Sequence, residues 1–309
     1  MDGRLYSSPV QQRIWVAVFF ASFGWGSGGV VTRMALNDGA TPYDVALVRA
    51  ALAGLGVILY LAIRGRLRPP GVVAVKVGVV MSVTNMAIPF IFSNIALLHA
   101  SAGFVALPAA LIPLMTAAMA HVFLPDERLS VAKVVGLVTA LAGVAVLLLS
   151  GDSGLAEGGR PLLAGSLGLV SVTVIAAGSV YAKKYAGRYG TLDVSALQFV
   201  LGAAVIAVAA AFLDGGIGAG PTGAWPELIF LALMATLVPV ALFYWLIRHV
   251  TVTYASMIGY VVPLIAVVIG VIALDEQVQP GILIGGALIL AGVVITDRLE
   301  RRNPAPSGR

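Results

Sequence analysis

Apolar stretches of about twenty residues recur along the chain, and each is long enough to cross a bilayer as an α-helix. Each stretch is bounded by Pro, Gly or charged residues. The pattern predicts ten helices, near residues 13–36, 43–64, 71–97, 101–124, 131–150, 161–186, 192–213, 226–248, 253–274 and 279–297. An all-α polytopic membrane protein is therefore predicted.

The chain also repeats itself at an offset of 150 residues, which slips to 149 further along. The matched positions are Pro89 and Pro239, His99 and His249, Pro113 and Pro263, Asp126-Glu127 and Asp275-Glu276, and Gly136 and Gly285. Each copy holds five predicted helices, so the second copy enters the bilayer in the opposite sense. The fold class predicted is ten transmembrane helices built as two inverted five-helix repeats, an arrangement typical of secondary transporters.

The repeat sets the predicted domain organisation. Residues 1–150 form the first five-helix repeat and residues 161–297 the second, inverted one. Residues 151–160 are small, polar and glycine-rich, which is typical of a linker. Residues 298–309 are basic and contain Pro, and they are predicted to be a disordered cytoplasmic tail.

Composition supports a membrane protein and excludes several other classes. The chain is 60% hydrophobic and 11% charged, against roughly 45–50% and about 25% in an average soluble domain. It has no cysteine, so no disulfide and no Cys-based metal or redox site is expected. The net charge of +5 comes from basic residues in short loops, which indicates a topology signal and no nucleic-acid partner. No cofactor and no metal are expected.

The distribution of Lys and Arg predicts the orientation of the chain. With both termini in the cytoplasm, 16 of the 19 Lys and Arg residues lie on the inner side, and the outer side keeps Arg33, Arg49 and Arg160. Arg33 and Arg49 are the two deepest of these. They either attract a carboxylate in the outward vestibule or snorkel to headgroups, and snorkelling is the favoured interpretation.

Several motifs resemble those of a known family. Trp25-Gly26-Ser27 lies in the first helix, and Arg33 follows it. In both halves a proline helix leads through an acidic turn to a final helix with two glycines seven residues apart. In this order the motifs resemble the EamA-type branch of the drug/metabolite transporter superfamily, over about residues 13–297. The sixth helix departs from the pattern, because no Trp precedes Gly178-Ser179.

The resemblance implies a multi-pass protein of the bacterial inner (plasma) membrane. Within the family the chain is most similar to bacterial exporters of amino acids, including aromatic ones. We therefore expect a secondary transporter that exports small amphipathic metabolites, foremost amino acids including aromatic or large neutral ones, by alternating access. The alternative is a translocator of drugs, quaternary cations or lipid-linked metabolites with the same fold.

Other function classes fit less well. An enzyme is not expected, because the sequence has neither a nucleotide loop nor clustered His, Asp or Glu. A channel would need no repeat with exchangeable gates. No Asp or Glu lies in the middle third of a predicted span, so facilitated efflux or exchange is expected ahead of proton coupling. The expected partners are a small-molecule substrate and the bilayer; the protein is expected to be a monomer, with a dimer as the alternative.

Helix rise places a set of polar, aromatic and proline residues in the span interiors. A bare amide facing lipid is costly, and aromatic faces suit amphipathic solutes or an ammonium group. The predicted substrate-binding residues are Trp25, Ser82, Asn85, Pro113, Tyr181, Thr236, Tyr244, Tyr260 and Pro263. Pro89 and Pro239 are predicted to kink or gate their helices.

Each of these predictions has a structural alternative. Tyr181 and Tyr244 also fit an aromatic belt at the membrane interface. Asn85 also fits a hydrogen bond between helices, and the prolines fit a role in packing alone.

Overall fold

The structure, a computed structural model, describes residues 8–125, 129–213, 223–249 and 258–302. Over these residues the chain consists of helices and short turns, with no strand. Nine of the described helices are long and apolar enough to cross a membrane, and a shorter apolar helix, Val261–Leu274, completes the ten. The predicted all-α fold with ten membrane helices is confirmed.

We number the helices in chain order. They are α1 (Ser8–Asn37), α2 (Pro42–Ile63), α3 (Val72–Ser82, a π turn at Val83–Ala87, and Ile88–Leu97), α4 (Ala102–Ala106, a 3₁₀ turn at Leu107–Leu111, and Ile112–Phe123), α5 (Val131–Leu149), α6 (Pro161–Lys184), α7 (Thr191–Leu213), α8 (Trp225–Ala232, a π turn at Leu233–Leu237, and Val238–His249), α9 (Ile258–Leu274) and α10 (Pro280–Arg302).

The predicted bounds of the second to eighth helices agree with the structure to within two residues. The two terminal helices are longer than predicted. α1 begins at Ser8, and α10 continues to Arg302. The residues of the predicted tail up to Arg302 are therefore helical, because Arg, Leu and Glu favour a helix even where it leaves the apolar layer. Residues 303–309 and the predicted start of the ninth helix at residue 253 lie outside the described residues.

The turns divide the molecule into two faces. We call the linker face the side that carries the turns 38–41, 98–101 and 275–279 together with residues 150–160. The terminal face is the opposite side, where α1 begins and α10 ends. The start of α2 at the linker face is capped: Thr41 and Asp44 form a capping box, each side chain bonding the backbone amide of the other at 3.1 Å.

Helix packing follows an inverted two-fold relation between the halves. α1 packs against α8 and α9, and α6 packs against α3 and α4. Because α6 is the repeat equivalent of α1, the two three-helix groups correspond to each other with the halves exchanged. The other four helices pair with their own equivalents, α2 with α7 and α5 with α10. Partners in each pair run in opposite directions, as an axis in the membrane plane requires.

The α5–α10 pair is the closest helix contact, and its glycines explain why. Gly143 and Gly285 face each other, so that a Cβ on Gly143 would lie 2.6 Å from the Gly285 carbonyl oxygen. Gly136 and Gly292 make the same contact nearer the terminal face. In lipid, where there is no hydrophobic drive between helices, such small residues let two backbones pack directly against each other. The paired glycine spacing seen in the sequence is thus a helix-packing motif.

We expect Gly143→Ala to destabilise the protein by about 1–3 kcal/mol, the usual range for an added methyl group in a packed interior. The new Cβ would meet the Ile289 amide nitrogen at 2.7 Å as well as the Gly285 carbonyl, so both helices must move. Thermal unfolding of the purified protein in detergent measures the effect. Gly71→Ala is the matched control, because nothing lies within 4 Å of its added methyl group. Equal unfolding temperatures for the two variants would contradict the packing role.

Candidate functional site

The third and eighth helices break at equivalent positions. The π turn of α3 spans Val83–Ala87, and that of α8 spans Leu233–Leu237, 150 residues further along. Pro89 and Pro239 follow the two turns at the same offset, and both are buried. A π turn adds a residue to the helix and proline lacks an amide donor, so each break changes the hydrogen bonding of nearby carbonyl groups.

Arg49 of α2 stabilises the break in α8. Its Nη2 donates to the carbonyl oxygen of Ala235 at 2.9 Å, which is the carbonyl that position 239 would bond in a regular helix if it were not proline. Its Nε donates to the hydroxyl of Thr236 at 2.6 Å, and that hydroxyl donates to the Leu231 carbonyl at 2.8 Å. Thr236, a predicted substrate residue, is therefore buried within the wall of the helix break.

The same arginine also reaches the broken helix of the first repeat. Its guanidinium carbon lies 4.6 Å from the centre of the Phe90 ring. Phe90 directly follows Pro89 in α3. One cation thus contacts both equivalent breaks, and cation–π contact with Phe90 adds to its hydrogen bonds on α8.

Asn85 lies within the π turn of α3 and is partly buried. Its Nδ2 donates to the hydroxyl of Thr84 at 3.0 Å. Both side chains pack against Gly178 of α6, where any Cβ would collide with them. Gly178, the glycine of the Gly178-Ser179 motif, is therefore placed beside a polar pair, at the contact between α3 and α6.

Ser82 does not share this position, although its spacing of three residues would put it on one face of a regular helix with Asn85. It is fully buried, its hydroxyl donates to the Val79 carbonyl at 2.7 Å, and its backbone lies against Gly202 of α7. The π turn that begins directly after Ser82 adds a residue, and this changes the register between Ser82 and Asn85. Ser82 is thus directed to the α7 contact.

Trp25 lies in the three-helix group formed by α1, α8 and α9. It is half-buried, and its ring centre is 5.8 Å from that of Phe243 in α8. The close approach of α1 depends on Gly24, since a Cβ there would lie 2.5 Å from Cγ of Pro239. Trp25 and the predicted kink at Pro239 are therefore in one contact region.

The remaining predicted residues are spread over the molecule. Tyr181 lies in the last turn of α6, its ring 5.1 Å from that of Tyr185, in an apolar cluster with α3 and α7 near the terminal face. Pro263 is buried inside α9, whereas Pro113 in α4 is exposed. The side chains of Tyr244 and Tyr260 lie outside the described residues.

The linker face is closed by two charged residues that cap the ends of neighbouring helices. Arg33 of α1 donates from Nη1 to the carbonyls of Leu97 at 2.5 Å and Ala100 at 2.8 Å, at the C-terminal end of α3. Glu276 of the α9–α10 turn accepts from the amide of Ala102 at 2.7 Å, at the start of α4. Each charge complements the helix end that it caps. We call these contacts the latch: it joins Arg33 of α1 to the end of α3, and Glu276 of the α9–α10 turn to the start of α4.

The snorkelling interpretation is wrong for both deep arginines. Arg33 is bonded to the α3–α4 turn and Arg49 to α8, so both side chains are directed into the protein. The spacing of residues along the sequence did not reveal the helix that either arginine would contact. A basic residue inside an apolar span is the available sequence signal, and the partner helix is decided only when the bundle forms.

Residues 150–160 reinforce the closure instead of forming a free connection. The amide of Ser101 bonds the Ser153 carbonyl at 2.8 Å. Gly154 accepts from the Gln277 amide at 2.9 Å and donates to the Gln279 side chain at 2.8 Å. Gly154 has a positive φ of 76° and touches the Ser101 side chain, so only glycine fits. The segment between the halves thus bonds both the α3–α4 turn of the first half and the α9–α10 turn of the second.

A cavity of about 270 Å³ lies beside the latch. Its lining includes Arg33, Asn37, Leu155, Leu274 and Glu276. Arg33 is eight residues beyond Trp25, or roughly 12 Å along the helix. This space therefore belongs to the linker face and not to the midplane level where the sequence places the substrate.

Packing between the two three-helix groups concentrates in the half of the molecule next to the linker face. Gly29 of α1 lies against Ala102 of α4, and Gly103 lies against Val267 of α9. Farther along α4, Ala109 and Pro113 are exposed. The described residues thus form a closed upper layer at the linker face, above the level of Trp25 and Asn85.

The charge state of Glu276 makes this closure sensitive to pH. Burial raises the pKa of Glu276 above its ordinary value, while the amides of Ala102 and Gly103 and the charge of Arg33 oppose the rise. The folded protein therefore keeps the proton to a higher pH than the unfolded chain does. Because the folded state binds more protons in this window, stability must fall as pH rises through it.

We expect the unfolding temperature in detergent to decrease as pH rises from about 4.5, the ordinary pKa of the side chain, through its raised value. Glu276→Gln should remove this component while keeping an oxygen for the Ala102 amide. Asp152→Asn is the matched control, since Asp152 is another linker-face carboxylate that accepts an amide, from Gly281 at 2.6 Å. A Glu276→Gln profile that parallels the wild type would show that another group titrates.

Comparisons with known proteins agree with this architecture. A protein of Streptantibioticus cattleyicolor, named a probable terminal-alkyne amino-acid exporter, is 24% identical over 305 residues, which cover 97% of this chain and 99% of that protein. YedA of Escherichia coli strain K12, named an uncharacterized inner membrane transporter, is 25% identical over 260 residues, covering 82% and 80% of the two chains. A solved protein structure with 22% identity superposes with a TM-score of 0.61 over 95% of this chain and 99% of its own, which shows a shared fold.

The family comparison covers both halves separately. The sequence profile of the EamA-like transporter family matches residues 13–149 and again residues 162–296. The two matched segments correspond to the two sets of five helices. The chain belongs to the EamA-like transporter family.

Proposed function

We propose that this protein exports small amphipathic metabolites, foremost amino acids including aromatic or large neutral ones, by alternating access. The observation that carries the proposal is the closure of the linker face by bonds between the two three-helix groups, α1, α8 and α9 on one side and α3, α4 and α6 on the other. Arg33 and Glu276 make these bonds across the α3–α4 turn. Such bonds can be broken and remade, as a gate requires, without unfolding a helix.

The closed linker face is compatible with loading of substrate from the cytoplasm. If both termini lie in the cytoplasm, as the Lys and Arg distribution predicts, the linker face is external and the structure is closed to the outside. Substrate then enters from the terminal face. Release outside requires the latch to open and the opposite side to close, by exchange of the conformations of the two repeats.

The residues at the midplane level suit a solute with one apolar and one polar end. Trp25 and Phe243 supply aromatic surface in the group formed by α1, α8 and α9. Thr84 and Asn85 supply a hydroxyl and an amide on the opposite group. A free amino acid with a large side chain presents these two kinds of surface, and a relative with this coverage carries the name of an amino-acid exporter.

Transport by purified protein in liposomes tests the proposal. Liposomes loaded with a mixture of amino acids should show saturable efflux of aromatic or large neutral ones, little changed by an imposed pH gradient. The gradient is informative because the two buried carboxylates among the described residues, Asp44 and Glu276, lie at the linker face and not at the midplane. Protein-free liposomes are the control. The absence of any amino-acid movement would overturn the substrate class.

Single-cysteine labelling tests the alternating access, and the natural chain has no cysteine to interfere. Ser153→Cys is nearly isosteric and lies in the closed linker face, where Ser153 is 5% exposed. Ala109→Cys lies on α4 where the side chain is exposed. A water-soluble thiol reagent should modify Ala109→Cys faster than Ser153→Cys in the absence of substrate.

During transport of a saturating amino acid, labelling of Ser153→Cys should accelerate and that of Ala109→Cys should slow. Opposite changes are the mark of alternating access, because Ser153 lies in the closed linker face and Ala109 lies farther from that face along α4. Rates that rise together would indicate a channel or local unfolding, and would contradict the mechanism.

A further inference from the structure

Arg49 carries a positive charge into the interior of the bundle. It lies seven residues beyond Pro42, the first residue of α2, and so roughly 10 Å inside the linker end of the helix. Its head group contacts Phe90 in α3 and both Ala235 and Thr236 in α8. It therefore lies at the level where the closed layer meets the interior.

The guanidinium has more donors than the protein uses. Of its five N–H groups, Nε bonds Thr236 and one N–H of Nη2 bonds Ala235. Within the part of the chain that the structure describes, no acceptor takes the others and no carboxylate faces the charge. Arg49 as a residue is half-buried, so the described residues do not enclose it completely.

An unopposed cation at this depth is costly, because a low-dielectric interior does not replace the water that the charge has lost. Arg33 shows how the chain treats a comparable residue: it is opposed by Glu276 and bonded to two carbonyls at a helix end. Among the described residues Arg49 has only neutral partners. The missing component of this group is an anion, and a planar carboxylate matches the fork of a guanidinium with two parallel hydrogen bonds.

We propose that Arg49 binds the carboxylate of the transported solute. The inference rests on the proposed function and narrows it, since solutes must carry a carboxylate and quaternary cations are repelled. A carboxylate on the unused donors would share the guanidinium with the Ala235 carbonyl, which keeps its own bond to Nη2. Substrate binding is thereby linked to the broken segment of α8, one of the helices that must move during transport.

A pair of probes that differ only in the carboxylate tests the site: L-phenylalanine and phenethylamine. Binding of each to the full-length protein in lipid nanodiscs is measured for the wild type, Arg49→Gln and Arg49→Lys. Arg160→Gln is the matched control, because it removes the same charge from an exposed position at the linker face. Thermal unfolding of every variant checks that it is folded.

We expect Arg49→Gln to weaken phenylalanine binding roughly tenfold or more, as for loss of a charge-assisted pair. Binding of phenethylamine should remain or improve, because a like charge has been removed. Arg49→Lys keeps the charge without the fork, so its loss for phenylalanine should be smaller. If Arg49→Gln does not fold, Arg49→Lys alone tests the site by the same comparison of the two probes. Arg160→Gln should bind both probes as the wild type does.

The remaining outcomes overturn the proposal in distinguishable ways. If either Arg49 variant loses affinity for both probes equally, the arginine only stabilises the break in α8. The proposal that it binds the substrate carboxylate is then wrong. If the wild type binds phenylalanine and Arg49→Gln leaves the preference over phenethylamine unchanged, this site again fails while the exporter survives. If the wild type binds neither probe, the proposed substrate class itself is wrong, and this site with it.

Discussion

Backbone carbonyls at two broken helices must be satisfied without water, and the organisation of this protein depends on how that is done. In hydrocarbon each unpaired polar group of the backbone costs several kcal/mol. α3 and α8 nevertheless carry π turns and prolines at equivalent positions. At α8 the solution is a side chain from another helix, because Arg49 bonds the carbonyl affected by Pro239 and the adjacent Thr236. The break is thus held by a contact that can be exchanged.

The same exchangeable chemistry closes the linker face. Arg33 and Glu276 bond helix ends whose backbone groups have no partners within the helix, and residues 150–160 bond the turns around them. By contrast, the α5–α10 and α2–α7 pairs meet through glycines and apolar side chains. Close-packed contacts of this kind resist sliding and separation. We infer that these two pairs serve as the frame, and that α1, α3, α4, α6, α8 and α9 supply the parts that rearrange.

The inverted repeat gives a physical reason for such a division. The α2–α7 and α5–α10 pairs each consist of a helix and its own repeat equivalent. Exchanging the conformations of the two halves therefore leaves each pair unchanged. The three-helix groups are converted into each other by the same exchange. Charged latch residues are present at the described linker face, where Glu276 corresponds to Glu127 in the first repeat. Glu127 lies outside the described residues.

The sequence by itself determined the ten helices, their bounds to within two residues for most of them, the inverted repeat and the family. These features depend on local hydrophobicity, proline and glycine positions and the order of motifs, all of which can be read along the chain. It also indicated Trp25, Asn85, Pro89 and Pro239 as residues of the span interiors. Only the tertiary structure decided which helix each side chain meets. The π turn separated Ser82 from Asn85, and Arg33 and Arg49 turned inward because their acceptors, 64 and 186 residues away along the chain, come close only when the helices pack.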